Sequence, residues 1–235
     1  MTSAPQSIPS STALRGLVIE SEVTPGVRYH LEHLLSDEGL GTAYLARRDS
    51  QEGSSPVVVK LLQSSGPDVP ADLVAAKEAV ALGRLNESVP PTPFVVRFID
   101  AGSVQVAGVQ TPWTALEYIH GGVEGTTLEE RVTYAVHRTG YAFDANRTAH
   151  AIRCLASGLS AIHNARVIHR NLTPGNVLCC GFGESEIFKI SDFGLARAAG
   201  LSRTFVNVAV GTVGYSAPEQ GSSSMGPQAD IFSLA

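Results

Sequence analysis

The chain contains His169-Arg170-Asn171-Leu172-Thr173-Pro174-Gly175-Asn176 and, shortly after it, Asp192-Phe193-Gly194. These two runs decide how the sequence is read. Both place polar groups between apolar residues, in a part of the chain with the composition of loops and short strands. Loops held on a rigid scaffold are where chemistry is usually placed. The segment from residue 166 onward is therefore where we expect a functional site.

Two helices are predicted upstream of these runs. One begins after Asp144, a suitable N-cap, and carries apolar residues at helical spacing from Ile152 to Ile162. The other covers residues 71–86 and places Glu78 on its inward stripe, in line with apolar residues. Glu78 therefore shares the helix face that packs inward.

Short β-prone runs separated by Gly, Asp and Ser turns predict an antiparallel sheet of five strands. The runs are Tyr29–Leu35, Thr42–Arg47, Val57–Leu62, Phe94–Ala101 and Trp113–Ile119. A Gly-Gly pair at 121–122 then punctuates the chain. We therefore predict a flexible leader over residues 1–26, one lobe over 27–120 and a second lobe over 121–235.

The composition is that of an ordinary globular protein. A net charge of -5 argues against a general affinity for nucleic acid or for anionic membrane surfaces. The three cysteines show no CxxC spacing, which favours a reducing compartment. No apolar run is long enough to span a bilayer, and the first residues lack the apolar centre of a secretion signal, so we expect a cytoplasmic location.

Five short segments occur in a fixed order. They are Val57-Val58-Val59-Lys60, Glu78, the run from His169 to Asn176, Asp192-Phe193-Gly194, and Ala217-Pro218-Glu219. Together they resemble the signature set of protein kinases, closest to bacterial-type serine/threonine protein kinases. The resemblance implies an α+β, two-lobed fold. Its N-lobe would be a five-stranded antiparallel sheet plus one helix, and its C-lobe would be mainly helical and would end early in the central helix.

The resemblance also implies ATP and Mg²⁺ as cofactors. Lys60 would pair with the α- and β-phosphates while Glu78 holds its ammonium, and Asn176 and Asp192 would bind the metal. Read without the motifs, these residues are a strand lysine, a capping Asn and a turn-forming Asp. The other residues that the resemblance places around ATP are Leu35, Gly39, Gly41, Ala43, Val58, Glu117, Ile119 and Leu178.

Further roles follow from the same resemblance. Leu82, His169 and Phe193 would stack in a hydrophobic spine. Thr212 lies in the activation segment and matches a residue that ties positions 171 and 173 together. Ser202 and Thr204 are candidate phosphorylation sites in that segment, and Arg170 would pair with their phosphate.

The sequence departs from the family pattern at the phosphate end of the site. Asn171 stands where the family has the aspartate base, and a neutral amide cannot hold a proton near pH 7. Losing a positioned base typically costs about 10² to 10⁴ in rate. Thr173 replaces an expected lysine, and Ser36 and Glu38 replace the first two glycines of the phosphate loop.

One pair of departures preserves the adenine end of the site. Ala43 and Val58 exchange the valine and alanine that clasp adenine in the family, and such a swap conserves apolar volume. Independent drift at two core positions would give the same pattern, so both explanations stay open.

The leading interpretation is therefore a serine/threonine-protein-kinase-family domain that binds ATP and Mg²⁺ but transfers phosphate poorly, with a regulatory role in signalling. One alternative is an active ATP-dependent serine/threonine protein kinase, so whether the chain is an enzyme stays open. The other is a scaffold that binds no nucleotide. The expected partners are ATP and an unidentified protein substrate or regulator, with no nucleic acid and no membrane.

Overall fold

The computed structural model describes residues 14–38, 41–62, 70–87, 91–198, 212–220 and 225–235. These residues form two compact units. The first unit is Met1–Ala76 with Phe98–Tyr118, and the second is Lys77–Arg97 with Ile119–Ala235. The predicted lobe boundary lies close to the crossing at residues 118–119, whereas residues 77–97 group with the second unit. The predictions made for Gly39, Ser202 and Thr204 fall outside the described residues.

The first unit is built on one antiparallel sheet of six strands in the order β1-β2-β3-β4-β6-β5. The strands are β1 Val18–Glu20, β2 Arg28–Glu38, β3 Gly41–Ser50, β4 Gly53–Leu62, β5 Phe98–Val106 and β6 Val109–Glu117. A turn at Gly108 joins β5 to β6, and Gly108 has a φ of +82°, a left-handed conformation that glycine adopts without strain.

Successive side chains along each strand point to opposite faces of the sheet, and one of these faces is buried. Tyr44, Val57, Val59 and Trp113 belong to its core cluster and are almost completely buried. At the two edges of the sheet, Ser103 in β5 donates backbone and side-chain hydrogen bonds to the Glu22 carboxylate, at 3.0 and 3.1 Å. Glu22 follows β1, so the sheet curls until its two edge strands are held together.

Strand β1 corrects two of the predictions. The sheet has six strands and not five, and the extra strand lies inside the segment predicted to be a flexible leader. Ile19 is buried in the core cluster, with Leu14 and Leu17 packed against the same cluster. The Ser- and Pro-rich composition of the first residues predicts a leader up to residue 26, but Leu14, Leu17 and Ile19 bury enough apolar surface to order the chain there.

The helices are α1 Ala71–Asn86, α2 Leu128–Thr139, α3 Ala145–Asn164 and α4 Gln228–Leu234. Helix α1 has the predicted bounds, and Asp144 caps α3 as predicted, accepting a hydrogen bond of 2.9 Å from the Arg147 N–H. Helix α2 was not predicted. It begins at a capping box in which Thr127 and Glu130 bond each other's backbone N–H groups.

The second unit also contains short strands. They are β7 Val167–Ile168, β8 Val177–Cys180, β9 Ile187–Ile190 and β10 Arg197–Ala198, paired as β7 with β10 and β8 with β9. Across the described parts of the chain, every helix is too short or too polar to cross a membrane.

Truncation of Ile19 tests whether β1 belongs to the folded unit. Because Ile19 is 1% exposed, we expect Ile19→Ala to lower the free energy of unfolding by about 3 kcal/mol. Urea denaturation followed by circular dichroism measures the change. Val23→Ala is the matched control because Val23 is 73% exposed. Equal stability of the two variants would mean that the segment is a leader after all.

Candidate active site

The loop from His169 to Asn176 is held from below by a buried aspartate. Asp230 lies in α4, is completely buried, and accepts the backbone N–H groups of His169 and Arg170 at 2.9 and 2.8 Å. Arg170 has a φ of +72°, a left-handed conformation that an arginine rarely adopts. The two bonds to one carboxylate hold the loop in that shape.

Charge and hydrogen bonding stabilise the Asp230 carboxylate. Burial alone would raise its pKa, but a hydrogen bond of 2.8 Å from His163 Nε2, together with the loop N–H groups, lowers the pKa below its usual value. Gln220 supports the same loop by donating to the carbonyl oxygen of Arg170. The backbone of the loop is thus satisfied by residues that come much later in the chain.

Two predicted site residues, Thr212 and Asn176, form hydrogen bonds with Asn171. The Thr212 hydroxyl donates a hydrogen bond of 3.0 Å to Asn171 Oδ1, so Thr212 contacts position 171 as the resemblance implied. Asn176 Nδ2 donates to the backbone carbonyl of Asn171 at 2.8 Å. Thr173 precedes the 3-10 turn of residues 174–176 and leads into it with an extended backbone.

The Asp192-Phe193-Gly194 segment packs beside this loop. The rings of His169 and Phe193 meet edge to face with centroids 4.8 Å apart, and His169 Nε2 donates to the Ser191 carbonyl at 2.8 Å. Leu82, the third predicted spine residue, is buried in the same unit. Asp192 adopts a φ of +61°, so its carboxylate is held on a left-handed backbone.

This geometry can be compared with known proteins. A family model for the protein kinase domain matches residues 29–235. The chain belongs to the protein kinase family. The similar proteins named below are serine/threonine-protein kinases, so the chain is a domain of the serine/threonine branch of that family.

Three relatives illustrate the similarity. The "Probable serine/threonine-protein kinase PkwA" of Thermomonospora curvata is 32% identical over 209 residues, which are 88% of this chain and 25% of that protein. The drp72 kinase of Corynebacterium efficiens is 31% identical, covering 89% of this chain and 37% of that protein. PknB of Mycobacterium tuberculosis is 29% identical, and the match covers 88% of this chain and 31% of that protein. The chain therefore spans about a quarter to just over a third of these relatives.

In the first unit of the kinase domain, three predicted ATP residues share one face of the sheet. Lys60 in β4 pairs directly with Ala43 in β3, and Val58 precedes Lys60 by two residues, so all three lie on the face opposite the core cluster. Each is partly exposed. Glu117, another predicted residue, ends β6 and pairs with Val57. The structure places the Ala43/Val58 swap beside the lysine as expected.

Two other predicted residues of the first unit have structural roles of their own. Gly41 opens β3 so close to β4 that an added Cβ would lie 2.3 Å from the Leu61 carbonyl oxygen, which excludes every other residue. Leu35 sits at an irregularity in the pairing of β2 with β3 and is 47% exposed. The glycine at position 41 is therefore explained by packing, without any bound phosphate.

In the second unit, Leu178 lies in β8 opposite Lys189 of β9, and it also forms a bridge with Thr127. Ile119, the last of the predicted ATP residues, is 6% exposed and belongs to this unit. Glu78 is completely buried in α1. Glu78 thus belongs to the second unit and Lys60 to the first.

A cluster of cations was not anticipated. Burial and then the nearby charge of Arg170 lower the pKa of Lys77 to about 8. Burial and then Arg197 likewise lower the pKa of Arg170, with Asp230 acting in the opposite direction. Sequence reasoning had no signal for Lys77, because its helix position next to Glu78 says nothing about which charges it meets in the folded unit.

Replacement of Asp230 tests how strongly its carboxylate holds the loop from His169 to Asn176, hereafter the catalytic loop. The two backbone N–H groups are accepted by different oxygens of Asp230, so Asp230→Asn places its amide NH₂ against one of these donors, and we expect the free energy of unfolding to fall by about 3 kcal/mol. Chemical denaturation at pH 7 measures this loss, and the exposed Glu87→Gln is the control.

The effect of Asp230 should also depend on pH. An aspartate with a lowered folded-state pKa stabilises the fold above its unfolded pKa of about 3.9, and this contribution is lost as the pH falls through the lower, folded-state value. The stability difference between the native chain and Asp230→Asn should therefore be constant near pH 7 and narrow below about pH 4. A difference that does not narrow would contradict the assignment.

Proposed function

We propose that this kinase-family domain binds ATP and Mg²⁺, transfers phosphate poorly, and serves mainly as a regulatory module in signalling. The observation that carries the proposal is the hydrogen bond from Thr212 to Asn171 Oδ1. This bond engages the amide oxygen, so the NH₂ group, which can only donate, is the other polar group that Asn171 could offer to a substrate hydroxyl.

The chemistry explains why this matters. In phosphoryl transfer a hydroxyl oxygen bonds to the γ-phosphorus while the bond to the bridging oxygen of ADP breaks, and the hydroxyl proton must leave. An aspartate has two acceptor oxygens, whereas Asn171 has one oxygen and an NH₂ group that only donates. The loss of a base typically lowers the rate by about 10² to 10⁴. Because most of this catalysis is positioning and electrostatics, the loss need not be complete.

The oxygen atoms of Asn176 and Asp192, assigned as metal ligands, are of the type that Mg²⁺ prefers. Asn176 uses its amide nitrogen on the Asn171 carbonyl, which orients the amide and leaves its oxygen as the remaining acceptor. Asp192 adds a carboxylate. Mg²⁺ prefers oxygen ligands and is usually held by one or two carboxylates together with the phosphates of the nucleotide. When bound, the ion would neutralise charge on those phosphates, and Asn176 and Asp192 would hold it.

Nucleotide binding is supported by residues in each unit. Lys60, Ala43 and Val58 share one sheet face in the first unit, and Leu178 and Ile119 lie in the second. Protein kinases generally use ATP and Mg²⁺, which agrees with this set. Thr173 supplies no cation where the family has a lysine, so the weakening is confined to the end where phosphate would be transferred.

Regulation by phosphate near Arg170 is part of the proposal. Burial and then the charge of Arg170 lower the pKa of Lys77, and burial and then the charge of Arg197 lower the pKa of Arg170, so an anion among the three side chains would relieve repulsion. Ser202 and Thr204 remain candidate phosphorylation sites. An unidentified protein substrate or regulatory partner remains a prediction from the sequence, and so does a cytoplasmic location. All three cysteines are free thiols in the structure.

A thermal shift tests nucleotide binding. With ATP–Mg²⁺ at about 100 times its Kd, the native chain should gain about 2.7 kcal/mol of stability, seen as a higher unfolding midpoint. Asp192→Asn and chelation by EDTA should each abolish most of this shift, and the exposed Asp72→Asn should keep it. No shift of the native chain at millimolar nucleotide would eliminate nucleotide binding and favour the scaffold.

Restoring the base tests impaired transfer. Asn171→Asp should raise the rate of labelled phosphate transfer by about 10² to 10⁴, because it supplies the second acceptor oxygen. The measurement uses the chain together with any coding sequence that follows residue 235, and Asn146→Asp on the exposed face of α3 is the control. Native turnover already at about 1–100 s⁻¹, with no gain from aspartate, would identify an active kinase instead.

A further inference from the structure

Arg131 lies in the first turn of α2, and its side chain is completely buried in the second unit. A buried charge is expensive unless it is paired and every donor is satisfied. The identity of its partners therefore indicates what the arginine does.

The guanidinium joins two backbone segments. Arg131 Nε and Nη2 donate to the carbonyl oxygens of Gly125 and Gly121, at 3.1 and 3.3 Å. These glycines bound residues 121–125, hereafter the linker. Nη1 and Nη2 donate to the carbonyl oxygens of Gly181 and Cys179, at 2.9 and 3.1 Å. The second pair belongs to residues 177–181, hereafter the strand segment.

Two carboxylates complete the network. Nη1 of Arg131 pairs with Glu186, which is also completely buried. Arg147 approaches the same carboxylate with Nε at 2.8 Å and reaches Glu124 of the linker at 3.1 Å. The linker is thus bound from one side by carbonyl contacts to Arg131 and from another by the Arg147–Glu124 pair.

The linker has a shape that only this environment permits. A Cβ on Gly121 would lie 2.1 Å from the Gly125 carbonyl oxygen, so the linker folds back tightly on itself. Gly125 has a φ of +99° and lies against Glu130. Just beyond the linker, the Thr126 carbonyl accepts the Cys179 N–H at 2.8 Å. The strand segment is therefore joined directly to the residues that follow the linker, by this hydrogen bond and by the Thr127–Leu178 bridge, and Arg131 joins it to the linker itself.

We propose that Arg131 is a positioning residue for nucleotide binding. Its guanidinium sets the separation between the linker, which follows Ile119, and the strand segment, which carries Leu178. The inference rests on the proposed function, because Ile119 and Leu178 are residues assigned to the nucleotide. The forked arrangement of the three guanidinium nitrogens, hereafter the fork, is what lets Arg131 contact both segments. A lysine has the same charge but a single nitrogen, so it cannot reach both segments at once.

Two variants separate positioning from folding. Arg131→Lys keeps a charge beside Glu186 but loses the fork. Arg131→Met combined with Glu186→Met removes both charges of the buried pair together, so that neither Arg131 nor Glu186 leaves the other as an unpaired buried charge. Arg153→Met is the control because Arg153 is exposed on α3. The readouts are the unfolding midpoint, the ATP–Mg²⁺ Kd by calorimetry, and amide hydrogen exchange without nucleotide.

We expect the double variant to fold with a lower unfolding midpoint, because four carbonyl oxygens and Arg147 each lose a partner. Measured well below that midpoint, its Kd for ATP–Mg²⁺ should rise by about tenfold. Hydrogen exchange should become faster in the linker and the strand segment and stay unchanged elsewhere in the unit. Arg131→Lys should change the Kd and the exchange in the same direction, and Arg153→Met should change nothing. Should the double variant fail to fold, Arg131→Lys decides by the same two readouts.

Two results would overturn the inference. One is a native Kd in the folded double variant, which would limit Arg131 to a structural role. The other is native hydrogen exchange in both segments of the variants. If the native chain binds no nucleotide, the proposed function fails, and exchange then tests only whether Arg131 sets the spacing of the two segments: faster exchange confined to them supports that spacing, and unchanged exchange overturns it.

Discussion

The catalytic loop depends on one carboxylate that accepts two successive backbone N–H groups. Asp230 holds the loop at His169 and Arg170, and His163 keeps that carboxylate charged within the interior. Because these bonds involve the backbone, the loop keeps its shape whatever side chain stands at position 171. The fold of the loop and its chemistry are therefore separable, and Asn171 can replace an aspartate without disturbing its neighbours.

Local periodicity explains which elements the sequence could predict. Helix α1 and the N-cap of α3 were predicted because apolar spacing and a capping aspartate are local signals. Strand β1 was not, because three residues carry little pattern and the strand is fixed by pairing with β2. Helix α2 was missed since Arg131 occupies its buried position. A buried arginine looks like a solvent-facing residue until its five partners are known.

The site divides in the same way. The motif residues around Asn171 were predicted because their order along the chain is distinctive, and the contact between Thr212 and Asn171 agrees with that order. Lys77 and His163 could not be predicted, since their roles arise from charges that are distant in sequence. Gly41 has a packing requirement that its motif position does not reveal, because an added Cβ would meet the nearby Leu61 carbonyl, and its assignment to phosphate stays a prediction.

The backbone at Asp192 bears on the balance between binding and transfer. A non-glycine residue at a φ of +61° carries strain of about 1–3 kcal/mol, which surrounding structure must offset. Glycine would relieve that strain, yet the chain has a carboxylate there, suited to a cation. Position 171 lies on a loop whose bonds would suit an aspartate equally well, and there the charge is missing. Under the proposed function, in which Asp192 would hold the metal and position 171 would lack its base, this strain is what a domain organised to hold nucleotide more than to use it would accept.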